Sequence, residues 1–236
     1  MKKEFSEFIN KYLMDRDLVY SDLISLDDVK NLIHIISKGK DYEHPDGYST
    51  VDNELYMIEH FQFDSSVELK GSSLMLKENL IEKEICDEIK TKNIVNKAIN
   101  TNSDLINYYK NLESHFIKHV NQFEKYKIDC YKEISIEPIN VSLILFIEDK
   151  TLYGALENDM KTPFEIIKTK EFMDMWKNYP YVKAIFIGGN ILNKTYCRLY
   201  FKEENELNYD SIIEKNPIIM NNTMIMDCKM EVKKNG

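Results

Sequence analysis

The sequence predicts an α/β (α+β) fold: a mixed β-sheet flanked by helices, with a helical insertion. Two observations carry the sheet. Val141–Ile147 (VSLILFI) and Val182–Ile187 (VKAIFI) are nearly continuous apolar runs, the mark of strands buried on both faces. A third carries the helices: apolar residues recur at helical spacing in several segments before and between those runs. Glycine and proline number only 7 and 5 in 236 residues. That excludes collagen-like and low-complexity architectures and favours long, unbroken elements.

In chain order, residues 2–15 read as an amphipathic helix with Phe5, Phe8, Ile9, Tyr12 and Leu13 on one face. Ser25 or Asp27 can cap a second helix carrying Val29, Leu32, Ile33, Ile35 and Ile36, with Gly39 as its stop. Asp41–Thr50 is polar, and a strand follows at Glu54–Phe63. Helical regions are expected from about Leu76 to Asn100 and from Ser103 to about Lys127. Thr169–Lys177 reads as a helix, Gly188-Gly189-Asn190 as a turn, and Tyr196–Phe201 and Met224–Val232 as strands. No linker divides the chain, so 1–236 is expected to be one domain, with 74–128 a helical insertion or cap.

The formal charge is −9, from 31 basic and 40 acidic residues. Only Arg16 and Arg198 are arginines, which argues against a sequence-specific DNA reader, since arginine is the preferred base-reading residue. The acid excess lies mainly in residues 1–100, whereas 151–200 holds 7 basic and 5 acidic residues. A nucleic-acid partner is therefore expected to lie along the lysine-rich 161–198 segment (Lys161, Lys168, Lys170, Lys177, Lys183, Lys194 and Arg198). Cys86, Cys130, Cys197 and Cys228 form no metal or disulfide pattern and read as small buried hydrophobes. The charged start Met1–Glu7 lacks the apolar stretch of a signal peptide, and no run approaches the ~20 apolar residues of a membrane helix. The expectation is a soluble cytoplasmic protein with no membrane partner.

The candidate site is Pro45–Asp64. Glu59 interrupts the apolar strand LYMIEHF, where a carboxylate is costly unless it is paired, metal-bound or open to a cleft. Asp46 stands upstream in His44-Pro45-Asp46-Gly47. Two neighbouring carboxylates repel, and a divalent cation relieves the repulsion and can activate water. His60, Gln62 and Asp64 share the opposite strand face, so His60 is a candidate base and Asp64 a candidate ligand. Alternation means that Glu59 and His60 cannot both enter one cleft without a bulge.

A helix, then Pro-Asp, then Glu in an apolar strand resembles the PD-(D/E)XK nuclease superfamily. The resemblance covers 26–64 best and 141–187 loosely. It implies phosphodiester hydrolysis with magnesium (manganese as substitute), Asp46 as the motif aspartate and Glu59 as the second acid. The motif lysine position holds Phe61, a departure, and Lys70 in Lys70-Gly71-Ser72 is a candidate substitute. A second acid-x-lysine match, Glu148-Asp149-Lys150, ends the strand 141–147 and would take its other acid from Asp64. His115 and His119 have a helical metal-ligand spacing but flank an apolar stripe, so helix-surface or partly buried histidines are expected. Three functions follow as alternatives: a metal-dependent nuclease; an inactive nuclease-like scaffold acting as a protein-binding module; and an acidic small-molecule or scaffold protein unrelated to nucleases.

Overall fold

The computed structural model describes residues 4–13, 18–20, 24–65, 94–99, 105–134, 138–151, 155–156, 163–191, 194–202, 218–219 and 224–229. Helix α1 (Glu4–Phe8) widens into a π turn, Ile9–Leu13. Then come β1 (Val19–Tyr20), α2 (Leu26–Ser37), β2 (Lys40–Asp41), β3 (Gly47–Val51), β4 (Glu54–Phe63) and β5 (Ile94–Ile99). Helices α3 (Leu105–Val120) and α4 (Phe123–Tyr131) lead to β6 (Asn140–Asp149) and β7 (Ala155–Leu156). A 3-10 turn (Ile166–Lys168), α5 (Lys170–Trp176), β8 (Val182–Ile191), β9 (Lys194–Phe201), β10 (Ile218–Ile219) and β11 (Met224–Lys229) complete it.

A mixed seven-stranded sheet runs β1-β9-β8-β6-β4-β3-β2, and two short pairs, β10-β7 and β11-β5, lie outside it. The expected α/β class is thus the observed one. The centre is a parallel trio. β4 pairs β6 without a break from Glu54↔Asn140 to Phe63↔Asp149, and β6 pairs β8 with one shift after Leu143. Both faces are buried. Odd positions Leu143, Leu145 and Ile147 join a core with Leu112 and Phe116 of α3, Tyr126 of α4, and Phe172 and Trp176 of α5. Even positions Ile144 and Phe146 join a second core with Phe5, Phe8 and Tyr12 and with Leu32, Ile35 and Ile36 of α2. Fully burying one such side chain contributes about 1.5–3 kcal/mol, so a strand with residues in both cores is anchored twice. Phe8 stacks on Phe146 at 4.7 Å, which fixes α1 over the carboxyl end of the trio.

The caps match the sequence. The Ser25 hydroxyl accepts from the Asp28 amide at α2, and Thr169 accepts from the Phe172 amide at α5. The polar stretch at 41–50 holds β2 and β3, which the composition did not announce. The β3–β4 hairpin closes on Asp52 (φ 51°) and Asn53 (φ 62°), both left-handed, as a two-residue turn of matching twist requires. Of the expected helix 76–100, residues 94–99 are instead strand β5, paired with β11; residues 76–93 lie outside the described residues. The β-branched Ile94, Val95 and Ile99 suit a strand better than a helix. Within 74–128, helices α3 and α4 pack their buried residues into the same core as the sheet. Cys130 and Cys197 are buried and free, as read from the sequence; Cys86 lies outside the described residues, and so does the side chain of Cys228. Among the described residues no helix is long and apolar enough to cross a membrane.

Gly188 and Gly189 are not a turn. They lie inside β8, opposite Glu148 and Asp149. Their lack of a side chain makes room for aromatic rings: a Cβ at Gly188 would stand 2.7 Å from the Tyr12 ring, and one at Gly189 2.7 Å from the Tyr196 hydroxyl. Gly188→Ala is therefore expected to cost about 1–3 kcal/mol by overpacking. Melting temperature followed by circular dichroism should fall by roughly 2–4 °C per kcal/mol lost.

Candidate functional site

β3 ends opposite Ile58, so beyond that point β4 has a strand partner on one side only, β6. At this free margin a cleft of about 550 Å³ opens, a size suited to a small ligand. It lies beside the carboxyl ends of the parallel strands, where open α/β sheets commonly bind ligands. One wall is α1 and its π turn (Glu4, Glu7, Phe8, Lys11, Tyr12). The floor is His60, Phe61 and Gln62 with Glu148 and Lys150, and the other wall is His115, Lys118 and His119 of α3. The cleft wraps around the margin, so both faces of β4 reach it without a bulge.

On the α1 face, Glu148 is the centre. Its Oε1 accepts from Lys11 Nζ, from the Tyr12 hydroxyl and from Lys150 Nζ at 3.0 Å; its Oε2 accepts from Gln62 Nε2 at 2.7 Å. His60 Nε2 stands 3.7 Å away. Burial alone would raise this carboxyl, but His60, Lys11, Tyr12 and Lys150 more than offset it and hold it well below the usual range. Glu148 and Lys150 do share a site, as the second acid-x-lysine match required. Asp64 is buried, and its carbonyl oxygen accepts from Asn111 Nδ2 at 2.8 Å.

On the α3 face, Glu59 is 6% exposed and is met by two donors. Its Oε1 lies 2.7 Å from His119 Nδ1 and accepts from the Tyr126 hydroxyl at 2.6 Å. With Glu59 as the acceptor, His119 Nδ1 carries the proton of this contact, and Nε2 is the ring nitrogen left outside it. Phe61 stacks on the His119 ring at 4.9 Å and 15°, which fixes the ring plane, and on His115 at 6.0 Å. The side chain at the expected lysine position thus packs the histidines.

Asp46 lies at the margin between the two sets. Its Oδ2 accepts the His60 backbone N–H at 2.8 Å, capping the first amide past the end of β3. Burial and the neighbouring charge of Glu59 raise its carboxyl to about 8, and Glu4 adds a side-chain hydrogen bond in the same direction. Asp46 and Glu59 therefore do lie close enough to feel each other. Among the described residues, however, no three His, Cys, Asp or Glu side chains converge to hold a metal ion. Glu59 is held by His119 and Tyr126, and Asp46 retains its proton near neutral pH. Magnesium, which the resemblance implies, would have to draw Glu59 from those two donors and displace the Asp46 proton.

Lys70 and Lys161 lie outside the described residues, as does the side chain of Lys194. Elsewhere in the 161–198 segment, Lys170 and Lys177 both pair with Asp174, and Lys168 and Arg198 both pair with Glu165. Lys183 stands over the Tyr56 ring. The lysines that line the cleft, Lys11, Lys118 and Lys150, come from other parts of the chain. Sequence reasoning did not assign Lys11, Tyr12 or Tyr126 to a site; nothing in their local pattern marks them. It had noted the Glu148-x-Lys150 spacing and the His115–His119 spacing. Neither family models, nor curated proteins, nor solved structures match this chain.

The two carboxyls have opposite pH signatures. Folded Asp46 keeps its proton up to about pH 8, whereas the unfolded group releases it near 3.8. Its contribution to stability therefore falls as pH rises from about 4 to 8. Asp46→Asn should match the wild type near pH 4 and exceed it at pH 8.5 in urea unfolding. Glu148 is depressed, so its contribution is present above its ordinary value of 4.5 and is lost as pH falls through the lower, folded value. Glu148→Gln removes the buried anion but leaves Lys11 and Lys150 able to turn to solvent, and should cost about 1–3 kcal/mol at pH 7 in the same assay.

Proposed function

We propose that the protein is a nuclease-like hydrolase of phosphate esters that works through acid–base chemistry in this cleft. One observation supports it above the others: buried Glu59 holds His119, a residue of the cleft wall, at Nδ1, which leaves Nε2 as the nitrogen to act as base. In this reading Glu59 is a positioning residue rather than a metal ligand, and Tyr126 and Phe61 fix the pair. His119 Nε2 takes a proton from water as the water oxygen bonds to phosphorus. The ester P–O bond breaks, and the same proton passes to the leaving oxygen. Lys11, Lys118 and Lys150 supply positive charge around the reacting group. The resemblance to PD-(D/E)XK nucleases supports a phosphodiester substrate, and nucleic acid is its natural form.

Purified protein incubated with DNA, RNA and a chromogenic phosphodiester, with magnesium, with manganese and with EDTA, tests the reading. Cleavage should persist in EDTA. It should fall at least ~100-fold in His119→Ala, the usual span for a general base. Glu59→Gln should lower kcat more than it changes KM and should alter the pH–rate profile. Cleavage that requires magnesium and disappears in both Asp46→Ala and Glu59→Ala would return the site to the metal-dependent reading, whose support is the mutual repulsion of those two carboxyls.

A second reading keeps the scaffold and drops the chemistry: a module that binds a protein partner at the cleft. It is favoured by Phe61 at the lysine position and by Glu148, whose oxygens are taken up by protein donors. Absence of cleavage on every substrate, together with no heat on titrating magnesium or manganese, selects it.

A further inference from the structure

A second cavity, of about 330 Å³, lies at the opposite end of the sheet, along β1 and β9. Its polar lining includes Glu165, Lys168, Arg198 and Tyr200, with Val19, the strand neighbour of Arg198, as apolar wall. Arg198 is held in the middle of β9, paired with Val19 on one side and Ile187 on the other, and is only 8% exposed. A buried guanidinium must be compensated, and this one is compensated incompletely.

The shortfall is visible atom by atom. Arg198 Nη1 approaches Glu165 Oε1 at 3.0 Å, yet no hydrogen bond forms there, because the N–H bonds do not point along the contact. Lys168 Nζ and the Tyr200 hydroxyl approach the same Oε1, each at 3.4 Å. Three donors thus crowd one oxygen, two of them at 3.4 Å. Two cations share one carboxylate, so among the described residues the polar lining carries one positive charge in excess. A buried guanidinium donor with no acceptor, an excess cation and an apolar wall in one cavity describe a site that lacks an anion.

We propose that this cavity binds a small organic monocarboxylate, its oxygens taken by Arg198 and Lys168 and its body against Val19. One negative charge completes the neutralisation, whereas a phosphate dianion would leave the site over-compensated beside Glu165. The planar guanidinium suits the planar carboxylate. The site is independent of the cleft, which lies at the margin of β4.

Calorimetric titration of the full chain at low salt with benzoate, inorganic phosphate and benzylamine tests it. Benzoate should bind saturably, more tightly than phosphate, and benzylamine should not bind. Lys168→Met, at a partly exposed position, should weaken benzoate about tenfold, one charge-assisted contact. Arg198→Lys, which keeps the charge and loses the fork, should weaken it further, and His119→Ala should leave it unchanged. Three results would each overturn the proposal: no saturable benzoate binding by protein with native circular dichroism, equal affinity in Lys168→Met, or loss of binding in His119→Ala. Phosphate binding as tight as benzoate would overturn the carboxylate assignment. The cleft reading stands or falls separately, on cleavage.

Discussion

Uninterrupted parallel pairing of β4, β6 and β8 is the constraint from which the remaining structure follows. Parallel strands need crossover connections, and here those connections bring helices to one face, α3 and α4 between β4 and β6 and α5 between β6 and β8, while α1 and α2 cover the other. Each strand then buries alternate residues in two different cores. The register leaves little freedom: a one-residue slip would send Leu145 and Ile147 to the α1 side and carry Glu148 into the α3 core. The same register aligns the carboxyl ends of the trio, where the apolar runs give way to Gln62, Glu148 and Asp149.

That alignment creates an electrostatic problem at the strand ends, and the surrounding elements answer it in different ways. Glu148 is met by cations from the π turn and from Lys150, and stays ionised. Asp149 is fully surrounded, raised by burial, and accepts from the Tyr108 hydroxyl at 2.7 Å and the Thr151 amide at 2.8 Å. Glu59 receives a histidine and a phenol, and Asp46 keeps a proton. A carboxyl group thus contributes a strong anion, a neutral acid or an orienting base partner according to what packs against it. The proposed chemistry of His119 depends on the third of these roles.

The elements were legible from the sequence where the signal is local. Ser25 and Thr169 mark helix starts, and the runs at 141–147 and 182–187 announce doubly buried strands. Legibility failed where a residue answers to distant neighbours. Gly188-Gly189 has the composition of a turn, but the Tyr12 and Tyr196 rings require the missing side chains within a strand. β3 is short and polar, and is held by its hairpin partner rather than by its own pattern. His115 and His119 are partly buried, one of the two outcomes expected of them, but the stripe beside them does not reveal that Glu59 lies opposite His119.

By itself the sequence determined the fold class, the order of most elements and the position, Glu59, where a carboxylate stands in a buried strand; it placed Glu148 at the exit of strand 141–147, and the structure carries β6 on to Asp149 and buries Glu148 as well. Periodicity and burial are properties of neighbouring residues, so they can be read along the chain. Tertiary structure alone decided what those carboxylates meet. Lys11 reaches Glu148 across 137 residues, and His119 reaches Glu59 across 60. Contacts of that range are set by the sheet register and the packing of helices on each face, and no local pattern encodes them.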